Sequence, residues 1–517
     1  MNGAKALIQT LVDAGVDLCI ANPGTSEMHL VQALDQVPGM RSVLTLFEGV
    51  CSGAADGYGR MTGKPAATLL HLGPGLGNAA ANLHNARKAG TPIINIVGNH
   101  PQYHMGYDAP LTSDIDTVAR NFSSWIKSCS TAQTLAQDGA DAVTATLRAT
   151  PDSQGQIATL IMGADAAWEE SPGPVEPNAL PTRAKIQAER AQQIAKILGS
   201  GEKTAILLEH DGVTSASLEQ AGKLKAHSQC RIITATFPAR VDGGPGTVDV
   251  ERMPYFPEHI LASLEGTRHL ILVGTQTPAS FFAYQNLPSQ LVPEGCTVHT
   301  LARIEEDATD ALAQVVKALG AESATPVYHQ KEEQAAPTGK LNTRSISQAV
   351  AATLPENCMV ATDSGGGNAA YAACQKAAKH SWLSLTGGSI GQGGPVATGA
   401  ALAYPDRQAL ALLGDGGAGY TIQALWTQAR EKLNVTTVIY ANRSYNILNV
   451  EYGRLGVTDV GEVAESLFDI GNPEIDWVAL ASAYGVPAAV ANTAEELCEL
   501  LEKSYKEPGP FLIQANC

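Results

Sequence analysis

Short apolar runs alternate with longer helical patterns through almost the whole of this 517-residue chain. That alternation limits the fold more than any other feature. Asp17–Ala21, Ser42–Phe47, Ala67–His71 and Pro92–Val97 read as strands. So do Thr204–Leu208, Arg231–Ala235 and His269–Gly274, and, further on, Met359–Thr362, Ala409–Leu413 and Thr436–Tyr440. Strands separated by helix-length stretches build parallel sheets with crossover helices, an α/β architecture. The chain is too long for one ordinary core. Two polar, proline-bearing stretches, Glu169–Asn178 and Thr325–Gly339, read as linkers. They divide it into residues 1–168, 186–325 and 340–517, each expected to be a doubly wound parallel-sheet domain. The first and third share a layout of strand, glycine-rich turn and helix that suggests an old duplication.

In open parallel sheets, ligands sit beyond the carboxyl ends of strands. One such end carries Gly414-Asp415-Gly416-Gly417, and 24 residues (417 to 440) separate Gly416 from Ala441-Asn442-Arg443-Ser444 at the tip of the next strand. Glycines let backbone N–H groups approach phosphate, and a helix N-terminus adds a favourable dipole. Asp415 offers a hard oxygen to Mg²⁺, Asn442 a neutral one, and the Ser444 carbonyl a third. Alone, Gly-Asp-Gly is more often a plain tight turn; the paired element on two strand ends points to a metal-bound diphosphate.

This pair resembles the diphosphate-binding motif of the thiamine diphosphate enzymes, with Ala441 in place of the first of two asparagines. On that resemblance Asp415, Asn442 and Ser444 are the Mg²⁺ ligands, and Gly414, Gly416, Gly417, Ser364 and Tyr445 contact the cofactor. The family also uses a glutamate to hydrogen-bond the cofactor's pyrimidine ring and activate it. Leu46-Phe47-Glu48-Gly49-Val50 places such a glutamate after an apolar strand, where it should be poorly solvated. Read alone, Glu48 fits a helix cap equally well. Its surroundings are similar to the acetolactate synthase and benzoylformate decarboxylase branch. Asn22–Glu27, His71–Asn78 and Gly387–Gly391 fall at further family landmarks. They imply that Asn78 and the Gly388 carbonyl meet the cofactor and that Ile390 holds it bent.

Thr25 and His71 stand where benzoylformate decarboxylase carries an active-site serine and histidine. His71 is either a proton relay or a strand-end histidine satisfied by backbone. The decarboxylase's second histidine would fall near Phe281 and is absent, which favours carboligation; Phe281 is instead expected to shape a pocket. Ile447, Leu448, Val450 and Glu451 are expected to line that pocket. The resemblance thus implies a thiamine diphosphate- and Mg²⁺-dependent 2-oxo acid decarboxylase/carboligase, a transferase or lyase, similar to acetolactate synthase. Simple decarboxylation of the benzoylformate decarboxylase kind and a non-catalytic cofactor-binding homologue stand as alternatives. The middle segment lacks the flavin-contacting sequences of biosynthetic acetolactate synthases, so FAD is not expected. The family places the active site at a subunit interface, which implies a homodimer or homotetramer.

Composition narrows the partners. A net charge of −17 opposes nucleic acid and anionic membrane surfaces. The nine scattered cysteines form no CxxC and fit free thiols in a reducing cytosol. The Met1–Val12 stretch reads as an amphipathic helix without a cleavage site, and no apolar run approaches a membrane span. A cytoplasmic protein is expected.

Overall fold

The computed structural model describes residues 1–151, 155–457 and 459–517. The first strands are β1 (Leu18–Asn22), β2 (Arg41–Leu44), β3 (Ala66–Leu70), β4 (Ile93–Asn99), β5 (Trp125–Cys129) and β6 (Ile157–Gly163). The next are β7 (Thr204–Leu208), β8 (Arg231–Thr234), β9 (Val241–Gly243), β10 (Glu251–Arg252), β11 (His269–Val273) and β12 (Thr297–Ala302). The last are β13 (Cys358–Thr362), β14 (His380–Leu383), β15 (Ala409–Gly414), β16 (Val435–Ala441), β17 (Ala488–Ala491) and β18 (Phe511–Asn516). They form three sheets, ordered β2-β1-β3-β4-β6-β5, β10-β8-β7-β11-β12 and β17-β18-β16-β15-β13-β14-β9. Among the described residues these strands pair in parallel, except β9 with β14. The fold is α/β with three parallel-sheet layers, as the alternation of runs implies.

The first and third sheets repeat one topology. Read from β14, the third runs β14-β13-β15-β16-β18-β17, which matches β2-β1-β3-β4-β6-β5 strand for strand. In each, the chain steps outward from its first strand to its second and then crosses back to the other side. That reversal opens a crevice between β1 and β3, and another between β13 and β15. Ligands of doubly wound sheets bind at such switch points. Strands β3 and β6 are buried along their whole length, which explains why they carry continuous apolar runs instead of alternation.

Two small-residue helices lock the first sheet to the third. Helix Glu48–Thr62 lies on helix Gly393–Ala403 so closely that a Cβ on Gly399 would stand 1.9 Å from the Ala54 carbonyl oxygen. A Cβ on Gly57 would stand 2.1 Å from the Val396 carbonyl oxygen. Beside them, Arg60 and Asp56 form a buried ion pair, and Arg60 also donates to the Ser384 carbonyl at 2.7 Å. The Ala-Asp-Gly-Tyr-Gly-Arg stretch is therefore packing and cross-linking. Glycines with left-handed backbone, Gly63 (φ 72°) and Gly90 (φ 68°), end the helices that follow β2 and β3.

The strand expected over Ser42–Phe47 stops at Leu44, and Glu48 is the first residue of a helix with Phe47 as its N-cap. His71 likewise lies just past β3, as the N-cap of helix Leu72–Ala89. Among the described residues no helix is long and apolar enough to cross a membrane.

Candidate active site

The crevice of the third sheet gathers most of the residues singled out in the sequence. Asp415 follows β15 and opens a short helix; Asn442 follows β16, whose Tyr440 pairs with Gly414. Asp415 is buried, at 4% exposure. Its Oδ1 accepts the Gly416 N–H at 2.9 Å and its Oδ2 the Arg443 N–H at 2.6 Å. Burial raises its pKa, against the pull of the Arg443, Gly416 and Asn442 N–H groups. Arg443 takes a left-handed backbone (φ 59°), which turns its N–H back to Asp415. Asn442 Oδ1 accepts the Ser444 N–H at 3.0 Å.

These residues border one cavity of about 690 Å³. Ser364, Gly414, Asp415, Gly416 and Gly417 form one side of it, with Asn442, Ser444 and Tyr445 beside them. Gly388 and Ile390 line it from the turn after β14. Ser364 caps helix Gly365–Cys374 through the Gly367 N–H at 3.1 Å, aiming a helix N-terminus inward. The cradle depends on missing side chains: a Cβ on Gly416 would meet the Tyr445 ring at 2.3 Å, and one on Gly366 the Tyr440 ring at 2.5 Å. A glycine-lined turn, a helix end and hard oxygens suit a phosphate group and Mg²⁺. Among the described residues no three His, Cys, Asp or Glu side chains cluster as a metal site. Asp363 and Asp415 are the carboxylates lining the cavity, so an octahedral ion here would draw further oxygens from its ligand.

Asp363 directly follows β13, in the Thr362–Asn368 stretch that the family resemblance expects to help hold the diphosphate. Its Oδ2 accepts the Gly391 and Gly393 N–H groups at 3.0 and 3.2 Å, while its Oδ1 is buried without a partner. Burial pushes its pKa up to about 6, opposed by the N–H groups of Gly393, Gly391 and Gly414.

The crevice of the first sheet holds the other group. Glu48, at 9% exposure, accepts the Asn78 amide N–H on Oε2 at 3.0 Å. His71 faces across from β3 toward the turn after β1, where Thr25 is exposed. Its Nδ1 lies 2.9 Å from Oε2 of Glu27, a fully buried carboxylate that also accepts the Gly24 N–H at 2.7 Å. Burial raises the Glu27 pKa, opposed by the Gly24 N–H and His71. Side-chain space explains the neighbouring glycines. A Cβ on Gly24 would stand 2.2 Å from His71 Nδ1, and one on Gly98 would stand 1.7 Å from Glu27 Oε1. His71 is thus partnered by a carboxylate and not by backbone, and Glu27 is a site residue that the sequence displayed only as part of a motif. Glu48, Asn78, His71 and Thr25 are not among the residues lining the 690 Å³ cavity.

An aromatic wall closes that cavity. Phe237, Tyr255, Phe281 and Phe282 contribute it from the middle segment, their rings meeting at 4.9 to 6.0 Å. Phe281 sits directly over Gly388, where a Cβ would come within 2.4 Å of its ring. Of the four residues expected past Asn442, Ile447 and Val450 line the cavity. Leu448 is exposed, and Glu451 instead accepts the Tyr284 hydroxyl at 2.9 Å.

Comparison with known proteins agrees with this layout. Residues 1–120 match the thiamine pyrophosphate enzyme N-terminal TPP binding domain, and residues 365–515 match the C-terminal TPP binding domain. The chain is 48% identical over 515 residues to "Putative acetolactate synthase large subunit IlvX" of Mycobacterium tuberculosis, covering 99% of this chain and 98% of that one. It is 26% identical over 533 residues to benzoylformate decarboxylase of Pseudomonas aeruginosa, covering 97% and 96%. In three dimensions it resembles the thiamine diphosphate-dependent 4-hydroxybenzoylformate decarboxylase of Rhodococcus jostii RHA1, with a TM-score of 0.86 at 22% identity over 100% of this chain and 99% of that one.

Proposed function

The chain belongs to the thiamine pyrophosphate enzymes, and from that premise we propose a Mg²⁺-dependent 2-oxo acid decarboxylase/carboligase of the acetolactate synthase-like kind. The observation that carries this reading is the pair of matched switch-point crevices. One carries Glu48 and the Glu27–His71 pair, the other Asp415 and Asn442. Bound thiamine diphosphate supplies a nucleophilic carbon for the oxo group and an electron sink for the bond broken as CO₂ leaves.

This chain's residues do the rest. Asp415, Asn442 and the Ser444 carbonyl would hold Mg²⁺, and the glycine-rich turn over Gly414, Gly416 and Gly417 would receive the diphosphate. Ser364 and Tyr445 would support that end. Glu48, fixed by Asn78, would share a proton with the pyrimidine ring, and the Gly388 carbonyl and Ile390 would contact the cofactor from the turn after β14. Glu27 holds Nδ1 of His71, which leaves Nε2 to exchange a proton with substrate; Thr25 stands on the same rim.

Two outcomes compete after CO₂ loss. The proposed one is ligation to a second 2-oxo acid, as from pyruvate to acetolactate. Phe281, whose ring stands over Gly388, favours it, because an apolar ring here takes the place of the decarboxylase's second histidine and offers no proton. The rival is release of an aldehyde, favoured by the Thr25 and His71 pattern. Incubation with pyruvate, thiamine diphosphate and Mg²⁺ decides. Acetoin after acid treatment supports ligation, and aldehyde alone sinks it. A protein that binds cofactor yet consumes no 2-oxo acid from a broad panel would be a non-catalytic homologue.

We propose domains over 1–168, 186–325 and 340–517, a homodimer or homotetramer with the site at its interface, a cytoplasmic location and no FAD requirement. Turnover by flavin-free protein tests the last point.

A further inference from the structure

Helix Asn446–Arg454 supplies Asn446, Ile447 and Val450 to the 690 Å³ cavity, yet none of its described residues is buried. A lone helix of 9 residues is marginal in water, so contacts from outside must hold this one in place. They come from one stripe. Ile447, Val450, Glu451 and Arg454 fall at i, i+3, i+4 and i+7, on one face. The first two line the cavity, and the last two meet the middle segment.

The contact at Arg454 is a fork. Its two Nη groups donate to the two carboxylate oxygens of Glu258, at 2.6 and 3.1 Å. The guanidinium also lies 4.3 Å from the centre of the Phe256 ring and 4.3 Å from that of Tyr284. Tyr284 in turn donates its hydroxyl to Glu451 at 2.9 Å. Bidentate pairing and stacking are the geometries in which a partly exposed ion pair holds best. The Arg454 hydrogen bonds hold the Glu258 pKa down to about 2, so the pair stays charged around neutral pH. The residues that grip Arg454 adjoin the aromatic wall. Tyr255 lines the cavity, and Phe256 and Glu258 follow it closely in the chain; Phe281 and Phe282 line it, and Tyr284 follows them. Helix and wall are thus fastened together by residues that do not themselves line the cavity.

We propose that this Glu258–Arg454 clasp sets the size of the 2-oxo acid side chain that the cavity accepts. It fixes where Ile447 and Val450 stand relative to Phe281 and Phe282. Walls held in register discriminate between side chains by fit, and loose walls do not. Loosening them costs a small side chain its contacts and relieves a large one. Glu258 and Arg454 act through the helix they hold, as positioning residues. The inference rests on the reading above that a 2-oxo acid reacts in this cavity.

The test uses full-length holoenzyme and compares CO₂ release from pyruvate and from benzoylformate, which differ in the bulk carried by the oxo carbon. CO₂ leaves whether ligation or aldehyde release follows. Arg454→Met and Glu258→Gln are expected to lower the pyruvate-to-benzoylformate ratio of kcat/KM by about tenfold. Arg454→Lys keeps the charge and is expected to recover part of that loss. In the same proteins, amide hydrogen exchange over residues 446–454 should quicken by about tenfold when the clasp is lost, while the sheet strands keep their protection. Exchange that stays at the wild-type rate in folded Arg454→Met overturns the clasp. Faster exchange with an unchanged ratio overturns its part in selecting the substrate. A wild type that releases CO₂ from no 2-oxo acid removes the reading above and the size assignment with it, while exchange still decides whether the clasp holds the helix.

Discussion

At the scale of residues, four carboxyl groups are placed differently enough to be told apart by experiment. Glu48 is held by Asn78 at the first crevice and is not among the residues lining the cavity that Asp415 borders. Glu48→Gln keeps the shape and removes the shared proton, so activity should fall roughly 10²–10⁴-fold with cofactor affinity nearly intact. Steady-state rates alongside a cofactor titration check this. Asp363 gives a pH prediction. Its native pKa of about 6 lies above the unfolded carboxylate value, so the folded protein binds the extra proton between the two. Its contribution is therefore most favourable at low pH and is lost as pH rises through about 6. Asp363→Asn should gain stability relative to wild type between about pH 4 and pH 7, by up to roughly 3 kcal/mol. Denaturant melts of both apo proteins across that range measure it, and a constant difference refutes the assignment. The sequence displayed Asp415, Asn442 and Glu48 because each interrupts an apolar or glycine-rich run at a strand end. Asp363 directly follows a strand too, and Glu27 lies in the short turn after β1. Their importance rests on contacts with Gly98, His71, Gly391 and Gly393, which are far away in sequence.

At the scale of elements, the central strands were legible and some edge strands were not. Runs such as Ala409–Leu413 are buried on both faces and declare themselves by composition. Strand β9 is three residues, Val241–Gly243, lent by the middle segment to the edge of the third sheet. No local pattern marks a strand whose partner is His380–Trp382, far along the chain. The contact between helices Glu48–Thr62 and Gly393–Ala403 was equally hidden, although the glycines that permit it were in view. Gly399→Ala should therefore destabilise by about 1–3 kcal/mol, since its methyl group would collide with the Ala54 carbonyl. Arg60→Ala, which strands Asp56 in the core, should cost about 3–5 kcal/mol. Urea denaturation with unchanged m-values would support both, and losses under half a kcal/mol would contradict them.

At the scale of the whole molecule, the repeat of one sheet topology gives two crevices, one bearing Glu48 and the other Asp415 with its glycine-rich turn. Glu48 and Asn78 do not line the cavity that Asp415 and Asn442 share. A site assembled from two copies predicts complementation. In a mixed dimer of Glu48→Gln and Asp415→Ala chains, one site carries both defects and the other carries none. Co-refolding the two inactive proteins should therefore restore roughly a quarter of wild-type activity, half the dimers being mixed. No recovery, with mixed dimers demonstrated by mass, would place both groups in one subunit's site.

The central claim is that a metal-anchored phosphate cradle at one crevice and Glu48 at the other hold opposite ends of one cofactor. Calorimetric titration of the apo protein with thiamine diphosphate, with and without Mg²⁺, tests it most directly. The account predicts saturable binding that requires Mg²⁺, is abolished by Asp415→Ala and persists in Glu48→Gln. Binding that ignores Mg²⁺ or survives Asp415→Ala would contradict it.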